Sequence, residues 1–336
     1  MKVLGKSIPG LGRCRLDFHQ ARYVWLMNRQ LRRWFADVLA PRRFDVIHII
    51  SQEFAGALLS LRGPDKPALA VNVDACELQP TRAWRRRTLE HLFMARFERK
   101  LFDHCDLIVA RNQWVADGLA AHYGLAERKI QLARNGIPLT EQHRLLYPPR
   151  AADEPVRLCF VGNGFARKGG PGLVRLHQAR FADVAELHIC SRDAPPDRSC
   201  RNVVWHGMVE RERLLNALLP TMDIFVLPTR SDMAPLAVAE AASAALPVVA
   251  TRVAGIPELV RHEETGLLCE PEDWRTFGDL VQRLIQDDAL RRRMGEAGRK
   301  HIGTQYDPDA HFGGLIARLK SLGRAQASPT AAAAQR

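Results

Sequence analysis

Short runs of apolar, often β-branched residues recur along the chain, each followed by a stretch long enough for a helix. In the second half they are VRLCFV (156–161), AELHIC (185–190), VVWHG (203–207), DIFVLP (223–228) and LPVVAT (246–251). The first half repeats the texture with FDVIHII (44–50), PALAVNV (67–73) and DLIVA (106–110). Strands separated by helices need crossover connections, and these build parallel sheets covered by helices. Helices are expected near 172–181, 210–219, 235–244, 273–287 and 289–302. The pattern predicts an α/β protein of two Rossmann-like halves. A length of 336 residues suits about two domains of ordinary size.

A segment with four prolines, PLTEQHRLLYPPRAADEP (138–155), interrupts the periodicity. The expected division is therefore a first domain over 1–145, a second over 146–305, a C-terminal helix over 306–320 and a disordered tail over 321–336. No strand with a Gly-rich turn is legible near residue 1, although MKVLGKSIP could form a strand. The first domain is thus expected to lack its leading βα unit, or to begin upstream.

Composition narrows the class. With 46% hydrophobic and 26% charged residues, wholesale disorder and collagen-like repeats are excluded. No apolar run approaches the roughly 18–20 residues of a membrane span, and the start has no signal-peptide stretch. A cytoplasmic location is expected, with peripheral contact to the inner face of the membrane as an option. The seven cysteines (14, 76, 105, 159, 190, 200, 269) form no CxxC pair, which predicts buried free thiols rather than a zinc or redox site.

Charge is unevenly spread. Residues 1–150 carry 25 basic and 14 acidic side chains, against 24 and 23 in the remainder. Such a basic half suits nucleic acid, acidic lipid headgroups or a phosphorylated substrate, or is a solvated face of an Arg-rich chain. No helix-turn-helix, finger or aromatic RNA-binding motif is visible, so nucleic acid is not an expected partner.

The chemistry is concentrated in LPTRSDMAPLAVAEAASAALPVVATRVAGIPELVRHEETGLL (227–268). A strand ends at Pro228, a loop presents Asp232, and a helix is expected to open at Pro235, where a missing N–H costs nothing. The N–H groups of 233–237 would then form an anion site at the helix start. Glu240 follows one and a half turns later. LPVVAT leads into AGIPEL, a second turn into a helix, with Pro257 at its start. Two such junctions at the carboxyl ends of neighbouring parallel strands make a ligand crevice.

This block resembles the donor-binding signature of glycosyltransferase family 4, retaining enzymes of the GT-B fold with two Rossmann-like domains facing each other. The signature pairs two acidic residues, here Asp232 and Glu240, with a helix, a PVVAT strand and a GIPE turn. The resemblance implies that Glu240 holds the ribose hydroxyls of a nucleotide sugar. It implies that Asp232 meets the transferred sugar, and that Met233, Ala234, Pro235 and Leu236 line the diphosphate and sugar. FVGNGFARKGG (160–170) resembles the family's phosphate turn, with Lys168, Arg167 and the Gly162 backbone on the donor phosphates. Asn163 stands where many members have Arg. Further landmarks follow the same order: KIQLARNGI (129–137) as a strand and turn entering the linker, and WHGMV (205–209) as the turn facing the base, with Met208 or Val209 beside it. Apolar residues there are as readily core. HICSR (188–192) replaces a Gly-rich turn.

The implied reaction moves a sugar from a nucleotide-sugar donor to a lipid-linked or envelope polysaccharide acceptor. Lys168, Arg167 and the helix start would stabilise the leaving diphosphate without a metal or other cofactor. The one DxD, Asp307–Asp309, lies far from the block in sequence. In the family the leaving phosphate takes the acceptor's proton. Members often carry His after a first-domain strand where this chain has Asp74, which would orient sugar or acceptor, or else cap the next turn. Asp232 in place of the usual Glu, Asn163 and the absent leading strand also fit a degenerate, non-catalytic nucleotide-sugar binder.

Two amphipathic stretches carry the basic charge: RYVWLMNRQLRRWFADVLA (22–40) and WRRRTLEHLFMARFERKLF (84–102). Met27, Leu31, Trp34, Phe35 and Val38 share one helical face in the first, and Leu89, Leu92, Phe93 and Phe97 in the second. Each stripe reads either as core packing beneath solvated arginines or as a surface for an anionic membrane.

Overall fold

The computed structural model describes residues 19–39, 44–63, 66–79, 89–148, 151, 154–194 and 199–327. The strand reading of MKVLGKSIP, Cys14, the cluster Arg85–Arg87 and the last nine residues of the tail lie outside them. The chain forms two compact units. Among the described residues, one comprises those between 19 and 134 together with 310–327, and the other those between 135 and 309.

In the first unit, β1 (Val46–Ile49), β2 (Ala68–Val73), β3 (Leu107–Ala110) and β4 (Ile130–Leu132) make a parallel sheet in that order. The two central strands are buried at every position, as a sheet covered on both faces requires. Leu58, Leu101, Phe102, Val115 and Leu119 pack against one face. The other face is covered from the far end of the chain. Leu315, Leu319 and Leu322 of the last helix (Pro308–Ala327) sit on Ala70, Leu107 and Val109.

That helix departs from expectation. It runs seven residues into the segment read as disordered tail, because Leu322 has core to bury against and Gly323 lies beside Asp45 and Val46. At its start, Asp307 accepts a hydrogen bond from the Asp309 N–H at 2.8 Å, so the DxD is a helix cap.

The second unit is a six-stranded parallel sheet: β5 (Val156–Val161), β6 (Ala185–Cys190), β7 (Val203–Gly207), β8 (Ile224–Leu227), β9 (Val248–Thr251) and β10 (Gly266–Cys269), in the order β10-β9-β8-β5-β6-β7. The short strand GLLC is an element that the alternation of longer runs did not announce. The chain leaves β5 in one direction across the sheet and returns to β8 on its other side. That reversal opens a crevice above the carboxyl ends of β5 and β8. Phe160, Phe225, Phe277 and the β8 and β9 side chains fill the interior.

The Pro-rich segment is not a free linker. Ile137 N–H donates to Tyr306 O, Thr140 N–H donates to Ser243 Oγ at 2.9 Å, and Arg144 Nε meets buried Asp223 at 2.9 Å. It packs as part of the second unit.

Candidate functional site

The loop after β5 is shaped by two close approaches at glycines, and the second leaves no room for a side chain. A Cβ on Gly162 would lie 2.5 Å from Lys168 Cδ, so the lysine stem runs directly over this backbone. Gly169 has a φ of +83°, and a Cβ there would stand 2.1 Å from the Pro228 carbonyl oxygen. The loop closes on itself through Lys168 N–H to Gly164 O and Gly170 N–H to Phe165 O. It is strapped to the segment after β8 by Arg230 N–H to Arg167 O and Arg230 Nη2 to Ala166 O. Local sequence thus places Lys168 at the mouth of the crevice with little freedom.

Lys168 Nζ lies 3.1 Å from Asp232 Oδ2, and Arg167 Nη1 lies 3.8 Å from the same oxygen while donating to Ser231 O. Lys168 and Asp232 are mostly buried, and Arg167 is half exposed. Asp232 Oδ2 has the two cations near it but no well-formed hydrogen bond. Its charge is compensated without being locked, which leaves it free to exchange partners.

The following helix, α6 (Leu236–Ser243), starts one residue later than expected. Pro235 is its cap residue, with φ −65° and ψ 115°, and no side chain caps the start or places acid in the first turn. Orphan N–H groups and the positive end of the helix dipole therefore remain available. Met233 accepts a hydrogen bond from Gly255 N–H at 2.8 Å, which joins the loop after β8 to the GIPE turn after β9. Met233 and Ala234 are half-buried, Pro235 is buried and Leu236 is exposed.

Glu240 lies on the next turn with its side chain 8% exposed, and its Oε1 accepts from Arg211 Nε at 2.8 Å. Sequence reasoning missed Arg211. The available signal was a basic residue soon after the WHGMV turn. In that turn Gly207 takes φ +66°, Met208 is 72% exposed, and Val209 packs on the core edge. Beneath the turn, His206 and His188 stack at 5.3 Å, and burial pushes both imidazoles below their usual range.

Asn163 supplies no positive charge. Its Oδ1 accepts from Arg192 N–H at 3.0 Å, and Asp193 accepts from Gly164 N–H, which ties the phosphate-type turn to the segment after β6. Asp74 belongs to the first unit, where it directly follows β2, is well exposed and pairs with Arg111 at 3.3 Å. Among the described residues no group of three or more His, Cys, Asp or Glu side chains could hold a metal ion.

Residues 149–287 match the family model described as Glycosyl transferases group 1, and residues 6–141 match Glycosyltransferase Family 4. The chain belongs to the family 4 glycosyltransferases. This family 4 chain is 27% identical over 236 residues to D-inositol 3-phosphate glycosyltransferase of Corynebacterium glutamicum, covering 62% of this chain and 55% of that protein. Over 89 residues it is 36% identical to N-acetyl-alpha-D-glucosaminyl L-malate synthase of Bacillus anthracis, covering 26% and 23% respectively. The match thus spans about half the length of the corynebacterial protein and about a quarter of the Bacillus one. Among solved structures, sucrose-phosphate synthase of Thermosynechococcus elongatus superposes with a TM-score of 0.70 at 20% identity, over 90% of this chain and 78% of that one. Anabaena HepE, solved with UDP, gives 0.65 at 15%, over 94% and 85%. The fold of this family 4 chain is GT-B.

Proposed function

We propose that the protein transfers a sugar from a nucleotide-sugar donor to a lipid-linked or envelope polysaccharide acceptor, with retention at the anomeric carbon and without a divalent ion. The observation that carries this reading is the meeting of Lys168 and Arg167 with Asp232 just ahead of the uncapped start of α6. A diphosphate entering there would take over both cations and the helix N–H groups, and stabilise its own departure from the sugar. Asp232, released from Lys168, would accept hydrogen bonds from the sugar hydroxyls. Glu240 would hold the ribose, with Oε2 free while Arg211 occupies Oε1. HepE, solved with UDP, supports a nucleoside diphosphate as the ligand. A capsular polysaccharide biosynthesis glycosyltransferase of Staphylococcus aureus, 32% identical over 85 residues, supports a polysaccharide product.

The test is acceptor-dependent release of nucleoside diphosphate from a panel of nucleotide sugars, with and without EDTA. Release that persists in EDTA is expected. Donor binding without any turnover would favour a non-catalytic nucleotide-sugar binder.

The acceptor side is read from two helices of the first unit, α1 (His19–Trp34) and α2 (Leu89–His104). They meet each other through Ala21, Val24, Met94 and half-buried Phe97, while Leu31, Leu101 and Phe102 join the core of the sheet. Leu89, Leu92 and Phe93 do not join them. They are 59%, 50% and 58% exposed, as is Trp25 at 61%, and Arg29, Arg32, Arg33, Arg96, Arg99 and Lys100 are exposed on the same helices. Apolar side chains beside arginines suit an anionic bilayer surface. The measurement is co-sedimentation with phosphatidylglycerol vesicles at low salt, and no binding there removes the membrane from this reading. Among the described residues no helix is long and apolar enough to cross a membrane.

A further inference from the structure

We propose that Arg211 is a positioning residue for Glu240, and that the two side chains together read the nucleoside end of the donor. This rests on the donor-site reading above. Glu240 sits on a helix with its side chain 8% exposed, and a carboxylate so placed is costly unless a cation meets it. The cation comes from outside the interior: the Arg211 side chain is 60% exposed and reaches Oε1 with Nε alone. A guanidinium has five N–H donors, so four remain without a partner among the described residues, as does Oε2 of Glu240.

The placement is specific. Arg211 begins the short helix Arg211–Arg213 immediately after the Gly207–Glu210 turn, and Glu240 lies in the second turn of α6. The pair therefore joins the turn expected to face the base to the helix whose start is expected to face the diphosphate. A free carboxylate oxygen beside free guanidinium N–H groups offers an acceptor and donors in one place. A ribose, with hydroxyl hydrogens and oxygens, can use both, whereas a base carbonyl can use only the N–H groups. A bare pyrophosphate has only acceptors, so it cannot use the carboxylate oxygen, and its expected seat is the helix start beside Lys168 rather than this pair. Fixing Oε1 also fixes the direction in which Oε2 presents its lone pairs.

The experiment is calorimetric titration of the full chain with inorganic pyrophosphate and with uridine, guanosine, adenosine and thymidine diphosphates, taking forward whichever nucleotide binds the wild type. Arg211→Ala is expected to weaken that nucleotide about tenfold to a hundredfold, the scale of losing charge-assisted hydrogen bonds, and to leave pyrophosphate binding as it was. Arg211→Lys, which can still meet Oε1, should recover part of the loss. Nucleotide affinity unchanged in Arg211→Ala, or an equal loss of nucleotide and pyrophosphate, overturns the proposal. The latter outcome would make Arg211 a structural strut. Glu240→Gln is the separating control: it should lose the nucleotide too. If it does not, the donor-site reading fails, and the role of Arg211 fails with it.

Discussion

In the second unit, Asp232 and Glu240 each have a cation within 3.1 Å, supplied by side chains at the mouth of a crevice. In the first unit, Glu77 and Glu98 lie together beyond the end of β2, and neither has a cation within hydrogen-bond reach among the described residues. The nearest is His91 Nε2, 3.9 Å from Glu77 Oε2. Glu98 is held by neutral donors instead: Gln52 Nε2 at 2.6 Å, the Glu77 N–H at 2.9 Å and the Tyr123 hydroxyl. Burial, and for Glu77 the neighbouring Glu98 charge, pushes both carboxyls up to about 7. Gln52 also donates to Ala75 O at 2.6 Å, so the cluster pins the loop that follows Asp74. A carboxylate paired with a cation at the mouth of a crevice can change partners when an anion arrives. One satisfied by buried neutral donors cannot leave without stranding them. The first arrangement suits ligand exchange, and the second suits holding a loop in place.

The largest expected effect is on the exchange side. Lys168→Ala should lower turnover about 10²- to 10³-fold, the scale seen when a donor to developing negative charge is removed. Glu98→Gln should leave nucleoside diphosphate affinity alone. A matching loss of affinity in Glu98→Gln would erase the distinction between the two units.

Next is the structural side. Tyr123→Phe removes a buried donor from Glu98 and should cost about 1–3 kcal/mol in urea unfolding of the first unit. A cost near zero would show that the cluster does not hold the fold.

The proton balance sharpens the contrast further. Because the folded values of Glu77 and Glu98 lie above the ordinary 4.5, folding favours proton uptake by these groups. Their contribution is complete below about pH 4.5 and is lost as pH rises through about 7. Glu77→Gln should therefore raise the thermal midpoint at pH 8 by a few degrees and flatten its fall between pH 5 and 8. An unaltered pH profile would contradict the shared burial of the two carboxyls.

The smallest effect tests the exchange itself. Asp232→Asn frees Lys168 from its resting partner and should tighten binding of nucleoside diphosphate by a few-fold, the scale of a partly exposed ion pair, while lowering turnover. Weaker binding in this variant would mean that Asp232 does not compete with the ligand.

Legibility followed the range of the interactions. The first five strands of the second unit, the glycine that follows β5 and the helix that carries Glu240 could be read because each depends on neighbours a few residues away. β10 (GLLC) is no shorter than β8 or β9 but lacks the β-branched residues that mark those two as strands. On α2 the apolar stripe at 89, 92 and 93 faces outward, while Met94, Ala95, Glu98, Leu101 and Phe102 are buried. The inward face packs Leu101 and Phe102 into the sheet core and brings Glu98 to partners from residues 52, 77 and 123.

The α/β class and the helix opening near Pro235 were written in local patterns, since strand period and helix caps are short-range effects, while Lys168 was picked out by the resemblance of FVGNGFARKGG to the family's phosphate turn. Tertiary structure alone decided that Lys168 rests on Asp232, that Arg211 occupies Glu240, and that the last helix covers the first unit's sheet. Each of these joins residues tens to hundreds of positions apart, and such pairings depend on which surfaces the folded chain brings together rather than on any pattern within a segment.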